Sequence, residues 1–347
     1  MKGRILMKIW QLNEFNIQNL AIVKKDPPKI LNDNEVLVIM RAASLNFRDL
    51  IMIDGGYGDT GGTIPFVPIS DGSGIVEDVG NGVTEFKKGD VIIPPFFSDW
   101  DTGNIGEDGY LSARGGQIDG VMQEYMVFSD DSIVKAPRNW NCMESATLPC
   151  AALTAWRTLV TEGKINKNSI VLVQGLGGVS IFAIQIAKLF NATVIATTSS
   201  VERMDKAKKF GADYVINYNE HKEWWKNIQR ITNRKGVDII VEVGGSKTLE
   251  QSIKSSKIGA VIGIIGVLSG GVAALPIGRV IYKASRLIGI TCGNKEELIS
   301  MVNKFNMSSV RPVIDTSFKF KDLPKALEYM KRGKHLGKIV IDFDMDD

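Results

Sequence analysis

The chain is poor in the residues that build metal centres and disulfides. Its 347 residues include three cysteines and two histidines. The cysteines form no Cys-x-x-Cys pair, and an odd number gives no closed disulfide framework. We therefore expect a reducing, cytoplasmic environment. With His221 and His335 as the whole histidine supply, a histidine-rich metal site or a Ser-His-Asp triad has little support.

An excess of one charge sign is missing as well. Lysine and arginine total 42 against 39 acidic residues, a formal charge of +3, which does not suggest a nucleic-acid-binding protein. The segment Met1–Trp10 has charged residues and no long apolar run, so we predict no signal peptide. The uncharged stretch Ile258–Ile277 is long enough to span a bilayer. Five glycines and Pro276 interrupt it, and we predict a buried strand, a glycine turn and a loop instead of a membrane span.

Hydrophobic patterning divides the chain. The first third alternates short apolar runs with turn residues, as in Val36–Ala42 and Gly74–Val79, which is typical of β structure. Ser98–Gly120 is rich in glycine and aspartate and is predicted to be an excursion loop. Glu144–Thr161 has helical spacing. We predict domains at residues 1–143 and 144–293, with 294–347 returning to the first.

Strands and helices alternate through the middle of the chain. Near-continuous Val/Ile strands separated by helices predict a parallel sheet covered on both faces. The strands are predicted at Ser169–Gln174, Thr193–Thr198, Tyr214–Asn217, Val237–Val243, Ala260–Gly266 and Arg286–Thr291. The helices are predicted at Gly178–Phe190, Glu202–Phe210 and Thr248–Ser255, with one more after Asn217.

The first of these strands runs into a glycine-rich turn. Gly175, Gly177, Gly178 and Val179 stand between the strand and an apolar helix. Backbone N–H groups of such a turn approach a pyrophosphate, and the helix dipole favours its negative charge. Ser180 replaces the third glycine of the G-x-G-x-x-G pattern, and it is small enough to do so. The alternative is a tight turn without a ligand.

The end of the second strand predicts which dinucleotide binds. An NAD site places an acid there to hold the ribose hydroxyls. This strand ends in Thr198, Ser199 and Ser200, and Arg203 follows within one helical turn. Hydroxyl groups and a cation accept a 2′-phosphate, so we predict NADP(H) over NAD(H). Ser199 or Ser200 alternatively serves only as the cap of the following helix.

Four segments show a resemblance to a known family. They are Ala42–Asp49 (AASLNFRD), Glu144–Pro149 with Leu153–Trp156, Gly211–Asp213, and Gly333–Lys338. With the order of the predicted elements, they resemble the medium-chain dehydrogenase/reductase superfamily, in its zinc-free, quinone-oxidoreductase-like branch. The resemblance implies an α/β protein. It would have a GroES-like β-rich catalytic domain and a doubly wound Rossmann cofactor domain.

The resemblance also bears on zinc. The zinc-dependent relatives hold the metal with a cysteine, a histidine near a glutamate, and a second cysteine. Here Asn46 stands at the first position, the Gly-His-Glu segment reads Ile69-Ser70-Asp71, and Cys150 alone keeps its thiol. One thiolate does not make a tetrahedral zinc site. The four-cysteine structural zinc lobe of the relatives would fall in Ser98–Gly120, which has no cysteine. We therefore predict no metal.

The resemblance implies roles for further residues. Asn46 would donate a hydrogen bond near the nicotinamide and substrate, Tyr57 would line the pocket or donate a proton, and Thr154 would touch the nicotinamide ring. Alternatively, Asn46 is a turn amide and Tyr57 a mobile loop aromatic. The remaining cofactor positions are predicted to be Tyr218, Val243, Gly244, Gly266, Val267 and Lys338. A surface location of Lys338 is the alternative.

Together these features predict a zinc-independent, NADP(H)-dependent oxidoreductase. It would transfer hydride between nicotinamide and a carbonyl, a quinone or an activated alkene. The aromatic residues around Ser98–Gly120 and the loop 54–63 would shape an apolar pocket for that substrate. The alternatives are a zinc alcohol dehydrogenase with degenerate ligands and a non-catalytic NADPH-binding protein. A homodimer is also implied, with the apolar region Ala260–Ala274 pairing two sheets edge to edge. The alternative for this region is a core strand within one chain, and the two are compatible.

Overall fold

A computed structural model describes residues 6–58 and 61–344. Most of the loop predicted at 54–63 is included, but its Asp59 and Thr60 lie outside the described residues. The first five residues of the segment tested for a signal peptide lie outside them too. The described residues divide into two compact units. One contains the chain up to Ala151 and again from Gly293, and the other is Ala152–Cys292.

The strands and helices follow one another through both units. The strands are β1 (Met7–Leu12), β2 (Leu20–Lys25), β3 (Glu35–Ser44), β4 (Asp71–Val79), β5 (Val91–Ile93), β6 (Tyr125–Ser129), β7 (Val134–Lys135), β8 (Ile170–Gln174), β9 (Thr193–Thr198), β10 (Tyr214–Asn217), β11 (Val237–Glu242), β12 (Ser256–Ile264), β13 (Arg286–Gly289), β14 (Ile314–Lys319) and β15 (Lys338–Asp342). The helices are α1 (Phe47–Ile53), α2 (Glu107–Tyr110), α3 (Cys142–Ser145), α4 (Leu153–Trp156), α5 (Gly178–Leu189), α6 (Val201–Lys209), α7 (Trp224–Ile231), α8 (Leu249–Ser255), α9 (Ile277–Lys283), α10 (Lys295–Asn306) and α11 (Leu323–Lys331).

The first unit is built on a mostly antiparallel sheet. Its strand order is β14-β15-β3-β4-β5-β7, with β6 also paired to β3 and with β1 and β2 forming a separate hairpin. Along β3, Val36, Val38 and Met40 are buried and alternate with half-buried neighbours. This period of two lets one face of the strand contribute to the hydrophobic core. The return of the chain in β15 pairs antiparallel with β3 and so completes this sheet.

The second unit contains a six-stranded parallel sheet. Its order is β10-β9-β8-β11-β12-β13. Relative to the first strand this is 3-2-1-4-5-6, the order of dinucleotide-binding doubly wound folds. The predicted alternation of strands and helices is thereby confirmed. The order reverses between β8 and β11, and ligands of such sheets bind outside the carboxyl ends of the strands at that point.

Two local predictions need correction. Ser98–Gly120 is not a plain loop, since it contains α2, and Phe96, Phe97 and Trp100 pack their rings together within the segment and its approach. The helical segment predicted at 144–161 is not one regular helix. It joins α3 and α4 to two stretches of π-helix, Leu148–Ala152 and Arg157–Glu162.

The uncharged stretch 258–277 is largely strand and irregular loop. It begins inside β12, continues without helix after Ile264, and reaches α9 only at Ile277. In the described part of the chain, no helix has both the length and the apolar character needed to cross a membrane. The edge pairing predicted for 260–274 is corrected, because β12 lies between β11 and β13 and the edge strand is β13.

Candidate active site

The turn between β8 and α5 has the geometry of an anion site. Gly175 has a φ of +69°, and a Cβ atom added at Gly175 or Gly177 would meet nothing within 4 Å. Gly177 is the N-cap of α5 and offers no side chain to its first N–H groups. Those donors carry the positive end of the helix dipole. The space above the turn and its uncapped N–H groups suit a pyrophosphate.

Ser180 takes over a packing role in this turn. Its Oγ donates a 2.7 Å hydrogen bond to the carbonyl oxygen of Gln174, and the residue is buried. The third glycine of the usual pattern lets helix and strand approach closely. Here a short side chain bonded to the end of β8 joins the two elements instead, which explains why the pattern departs from glycine at this position.

The end of β9 presents the hydroxyl groups predicted for the adenosine ribose. Ser200 is the N-cap of α6, and its Oγ accepts a hydrogen bond from the Arg203 backbone N–H at 3.3 Å. Ser200 therefore caps α6, and its hydroxyl oxygen retains capacity for a further partner, so its role at a 2′-phosphate stays a prediction. Tyr218 follows β10, with its backbone N–H bonded to the carbonyl oxygen of Thr198 at 2.9 Å and its side chain exposed.

A buried carboxyl group that was not predicted organises the ends of β8 and β11. Glu242 is fully buried and accepts hydrogen bonds from the Gln174 amide, the Thr248 and Ser252 hydroxyls, and two backbone N–H groups. The sequence signal was an acid near the end of an apolar strand. Because a buried carboxyl left unbonded is costly, this network holds the ends of the two strands together.

The predicted positions after β11 and β12 belong to the same region. Val243 and Gly244 donate their N–H groups to the Gln174 side-chain oxygen at 3.3 and 3.1 Å. Gly266 lies so near this loop that an added Cβ would be 2.3 Å from the Val243 carbonyl oxygen. Val267 follows it and is exposed. These residues therefore lie where a doubly wound sheet binds its ligand.

In the first unit, Asn46 belongs to a buried polar cluster. It is the N-cap of α1, and its backbone N–H donates to the Asp49 carboxylate at 2.7 Å. Its side-chain Nδ2 donates to Ser70 Oγ at 3.3 Å. Asn46 is thus both a turn residue and an amide directed into the cluster. The cluster consists of Asn46, Asp49, Ser70, Asp71 and Lys338, the last lying on β15.

Lys338 is part of this cluster and is not a surface lysine. The residue is 3% exposed. Its Nζ donates hydrogen bonds of 2.6 Å to the Leu45 carbonyl oxygen and to Asn46 Oδ1. The surface alternative is therefore wrong. The predicted contact between Lys338 and the cofactor stays a prediction.

Two acidic groups of the cluster are buried. Burial raises the pKa of Asp71 to about 6, and the nearby Lys338 ammonium opposes that rise. Asp71 accepts hydrogen bonds from Ser70 Oγ at 3.1 Å and from the Cys150 backbone N–H at 3.1 Å. Burial also raises the pKa of Asp49, against the attraction of the Arg48 guanidinium. The cluster thus combines partly compensated charges in a dry environment.

This cluster does not supply the ligands of a zinc ion. Zinc sites in proteins combine thiolate, imidazole and carboxylate groups in a tetrahedron. Cys150 contributes one thiol, while Asn46 already binds an ammonium through its amide oxygen. Across residues 6–58 and 61–344, no group of three or more His, Cys, Asp or Glu side chains is placed to hold a metal. The side chains present do not fit the ion.

The two other predicted catalytic residues are Tyr57, in the first unit, and Thr154, in the second. Tyr57 is half-buried, and the Arg48 guanidinium lies 5.9 Å from its ring centroid. Burial raises the pKa of the Tyr57 phenol, with Arg48 opposing the shift, so the phenol is protonated and a donor at neutral pH. Thr154, in α4 of the second unit, is 3% exposed, and its carbonyl oxygen accepts from the Thr158 hydroxyl at 2.8 Å.

The fold and these sites together define an oxidoreductase that uses a pyridine nucleotide. Residues 32–138 match the family model described as the alcohol dehydrogenase GroES-like domain, and residues 178–307 match the one described as zinc-binding dehydrogenase. The chain belongs to the medium-chain dehydrogenase/reductase superfamily and is an alcohol dehydrogenase- or enoyl reductase-type enzyme.

Relatives match this chain along most of their own length. A Schizosaccharomyces pombe protein named zinc-type alcohol dehydrogenase-like protein is 40% identical over 323 residues, covering 91% of this chain and 93% of its own. The 2-methylene-furan-3-one reductase of Solanum lycopersicum is 29% identical, covering 96% and 79%. A crystal structure of a Sinorhizobium meliloti 1021 protein named "putative alcohol dehydrogenase" matches with a TM-score of 0.91 and 36% identity, covering 99% of this chain and 100% of its own.

The Glu242 network makes a direct stability prediction. In Glu242→Gln an amide N–H₂ replaces one acceptor oxygen among five donors, and we expect a loss of about 2–4 kcal/mol in the free energy of unfolding. Glu250→Gln is the matched control, since Glu250 pairs with Lys254 on the surface of α8 and its loss should cost less than about 0.5 kcal/mol. Urea unfolding of both variants measures the difference. Equal losses would contradict the role assigned to Glu242.

Proposed function

We propose that this protein is a zinc-independent, NADP(H)-dependent reductase. It transfers hydride between nicotinamide and a carbonyl, a quinone or an activated alkene. The observation that carries this proposal is the buried cluster around Asn46. There an amide, Asn46, occupies the position at which the resemblance would place the first zinc ligand, and the buried Lys338 ammonium donates to its oxygen. The cluster therefore suits a reaction whose developing charge is met by hydrogen-bond donors.

Ligand chemistry supports independence from zinc. Zinc ligands must offer a lone pair in deprotonated form. A lysine ammonium has none, and it holds the Asn46 oxygen at 2.6 Å. Asp71 has both carboxylate oxygens engaged, by Ser70 and by the Cys150 backbone. A metal bound through the Asn46 oxygen would lie beside the Lys338 ammonium, whose positive charge repels it.

The second unit would hold the dinucleotide. The backbone N–H groups of Gly177, Gly178 and Val179 would bind the pyrophosphate at the start of α5, and Gly175 keeps the turn open. The loops after β11 and β12, which contain Val243, Gly244, Gly266 and Val267, would continue the binding surface along the ends of the strands. Thr154 is proposed to contact the nicotinamide ring.

The end of β9 favours the phosphorylated dinucleotide. Its residues Thr198, Ser199 and Ser200 carry hydroxyl groups, and no carboxylate stands at the end of the strand to repel a 2′-phosphate. Arg203 lies in the first turn of α6, whose N-terminal dipole also favours an anion. Tyr218, exposed after β10, would cover the adenosine. The acid in the first turn of this helix, Glu202, pairs with Lys206 and is exposed.

The reduced nicotinamide supplies the hydride when it is bound. The proposed work of this chain is to bind the substrate oxygen and to stabilise the negative charge that develops on it. A preorganised donor in a buried site does this efficiently because it needs no reorganisation during the reaction. Asn46 supplies such a donor from a fixed amide, and we propose the protonated Tyr57 phenol as the proton source. The substrate in the tomato relative's name is a ketone conjugated to a methylene group. This favours enones among the proposed substrates.

We also propose a homodimer. The edge of the parallel sheet is β13, and the segment beside it exposes large apolar side chains. Those exposed by at least 60% are Ile258, Leu268, Val272, Ile277, Ile281 and Tyr282. A monomer rarely leaves such a patch in water, and a two-fold axis lets one patch cover the other.

A reducing compartment is consistent with the thiols. Cys142 and Cys150 are half-buried, Cys292 is buried, and none of the three forms a disulfide. Burial raises the pKa of the Cys142 thiol to about 11, which makes its thiolate, the reactive form, rare at neutral pH. We therefore keep the proposal of a cytoplasmic location.

Cofactor preference can be tested on one helix. Arg203→Ala should weaken NADPH binding about 10- to 100-fold, the value of a charge-assisted hydrogen bond, and change NADH affinity less than about threefold. Lys208→Ala on the exposed side of α6 is the control and should change neither. Titration calorimetry measures all four affinities. A parallel loss for both dinucleotides would show that Arg203 does not read the 2′-phosphate.

Activity and metal dependence form the second test. The purified protein should oxidise NADPH with at least one of a panel of enones, quinones, aldehydes and ketones. Dialysis against a zinc chelator should leave kcat unchanged, because no step uses a metal. Loss of NADPH absorbance gives the rates, and mass spectrometry gives the zinc content. Tight NADPH binding without turnover would point to a sensor, and activity that returns only with added zinc would overturn the proposal.

The oligomeric state follows from the apolar patch. Light scattering should give twice the chain mass for the wild-type protein. Ile281→Glu places a charge on the patch and should shift the protein toward the monomer by at least about tenfold in dimer affinity. Lys331→Glu, which is exposed on α11 of the other unit, should leave the mass unchanged. A monomeric wild-type protein at all concentrations would refute the dimer.

A further inference from the structure

The buried charge of Lys338 must be compensated by neighbouring groups, and the glycine turn between β8 and α5 provides none of them. Removing an ammonium from water is expensive unless it is paired and hydrogen-bonded. Lys338 is 3% exposed and donates to two oxygen atoms, Leu45 O and Asn46 Oδ1, each at 2.6 Å. Asp49 and Asp71 are both close enough to interact with its charge. The ammonium is therefore compensated inside the cluster itself.

The backbone fixes where this ammonium lies. Lys338 is the first residue of β15, and Gly337 before it has a φ of +68°. A Cβ atom at Gly337 would be 2.1 Å from the Val313 carbonyl oxygen, so only glycine fits there. The Leu45 backbone N–H donates to the Ile339 carbonyl oxygen at 3.0 Å, which joins β15 to the entry of α1. Lys338 and Asn46 are thus held in register by main-chain contacts.

This register has a consequence for the amide of Asn46. The oxygen and nitrogen edges of a primary amide are nearly identical in shape, and their hydrogen-bond partners decide which way they face. An ammonium only donates, so it selects the Oδ1 edge. Nδ2 then faces Ser70 Oγ, whose own hydroxyl donates to Asp71. The chain of donors runs in one direction, from Lys338 to Asp71.

We propose that Lys338 is a positioning residue that fixes the side-chain amide of Asn46, so that Asn46 is a hydrogen-bond donor on its side away from β15. This inference rests on the proposed function, in which the Asn46 N–H binds the substrate oxygen. Without the ammonium the amide can turn, and an oxygen would then face a developing negative charge. In this proposal Lys338 acts on the reaction through Asn46.

The kinetic test compares Lys338→Met and Lys338→Arg. Misplacing a reacting group or its donor costs on the order of 100-fold, so Lys338→Met should lower kcat by about that factor and leave the Kd for NADPH within about twofold. Lys338→Arg keeps a cation with several donors and should recover kcat to within about fivefold of the wild type. Lys331→Met, an exposed lysine of α11, is the control and should behave as the wild type. The probe is the best enone or quinone found in the NADPH oxidation panel.

Two further variants separate positioning from structure. Asn46→Ala lacks the amide, so adding Lys338→Met to it should lower kcat less than about threefold further. Asn46→Asp keeps acceptor oxygens for Lys338 but has no N–H, and it should lose as much kcat as Lys338→Met. This variant keeps the proposal testable should Lys338→Met fail to fold.

The outcomes distinguish the two proposals. A wild-type protein without turnover refutes the proposed function. The contact between Lys338 and Asn46 is then tested by unfolding the wild type, Lys338→Met, Asn46→Ala and the double variant. We expect the two substitutions to be coupled by about tenfold in the unfolding constant. Coupling below about twofold overturns the inference. With an active wild type, normal kcat in Lys338→Met or Asn46→Asp overturns it too. The inference is also overturned if Lys338→Met weakens NADPH binding both in the wild type and in Asn46→Ala. In that case Lys338 would contact the cofactor itself.

Discussion

The buried polar cluster of the first unit depends on the charge of the Lys338 ammonium. The ammonium lies among two buried carboxyl groups and two oxygen acceptors, and each of these would be costly alone in a dry interior. Removing it would leave Asp49 and Asp71 less compensated and free the Asn46 amide to turn. The Lys338 ammonium therefore sets both the charge balance of the cluster and the direction of its hydrogen bonds.

In the proposed function, the same cluster takes the place of a metal ion. A Lewis acid and a hydrogen-bond donor meet the same need, which is to stabilise charge on an oxygen atom. Replacing a thiolate by an amide removes a zinc ligand and supplies a donor in one step. The matching family model is described as zinc-binding, so membership of the family and possession of the ion are separate questions.

The cofactor unit uses another kind of preorganisation. Parallel strands end at one edge, and β8 and β11 meet there through Gln174 and Glu242. Since Glu242 also binds the N–H groups of Gly244 and Gly245, the loop after β11 is shaped before any dinucleotide arrives. The glycine turn at the end of β8 stays open because its donors lack side-chain caps. A rigid frame with unsatisfied donors is suited to capturing an anion.

Sequence alone determined the parts whose causes are local. The Val/Ile periodicity predicted the parallel strands, Gly175 and Gly177 predicted the turn, and the missing cysteines and histidines argued against zinc. Tertiary structure decided what depends on long-range pairing. Nothing local indicates that Lys338 lies beside Asn46, 292 positions away, or that Glu242 collects donors from β8 and α8. The stretch 260–274 was placed at a sheet edge because strand order, too, is set by contacts between distant segments.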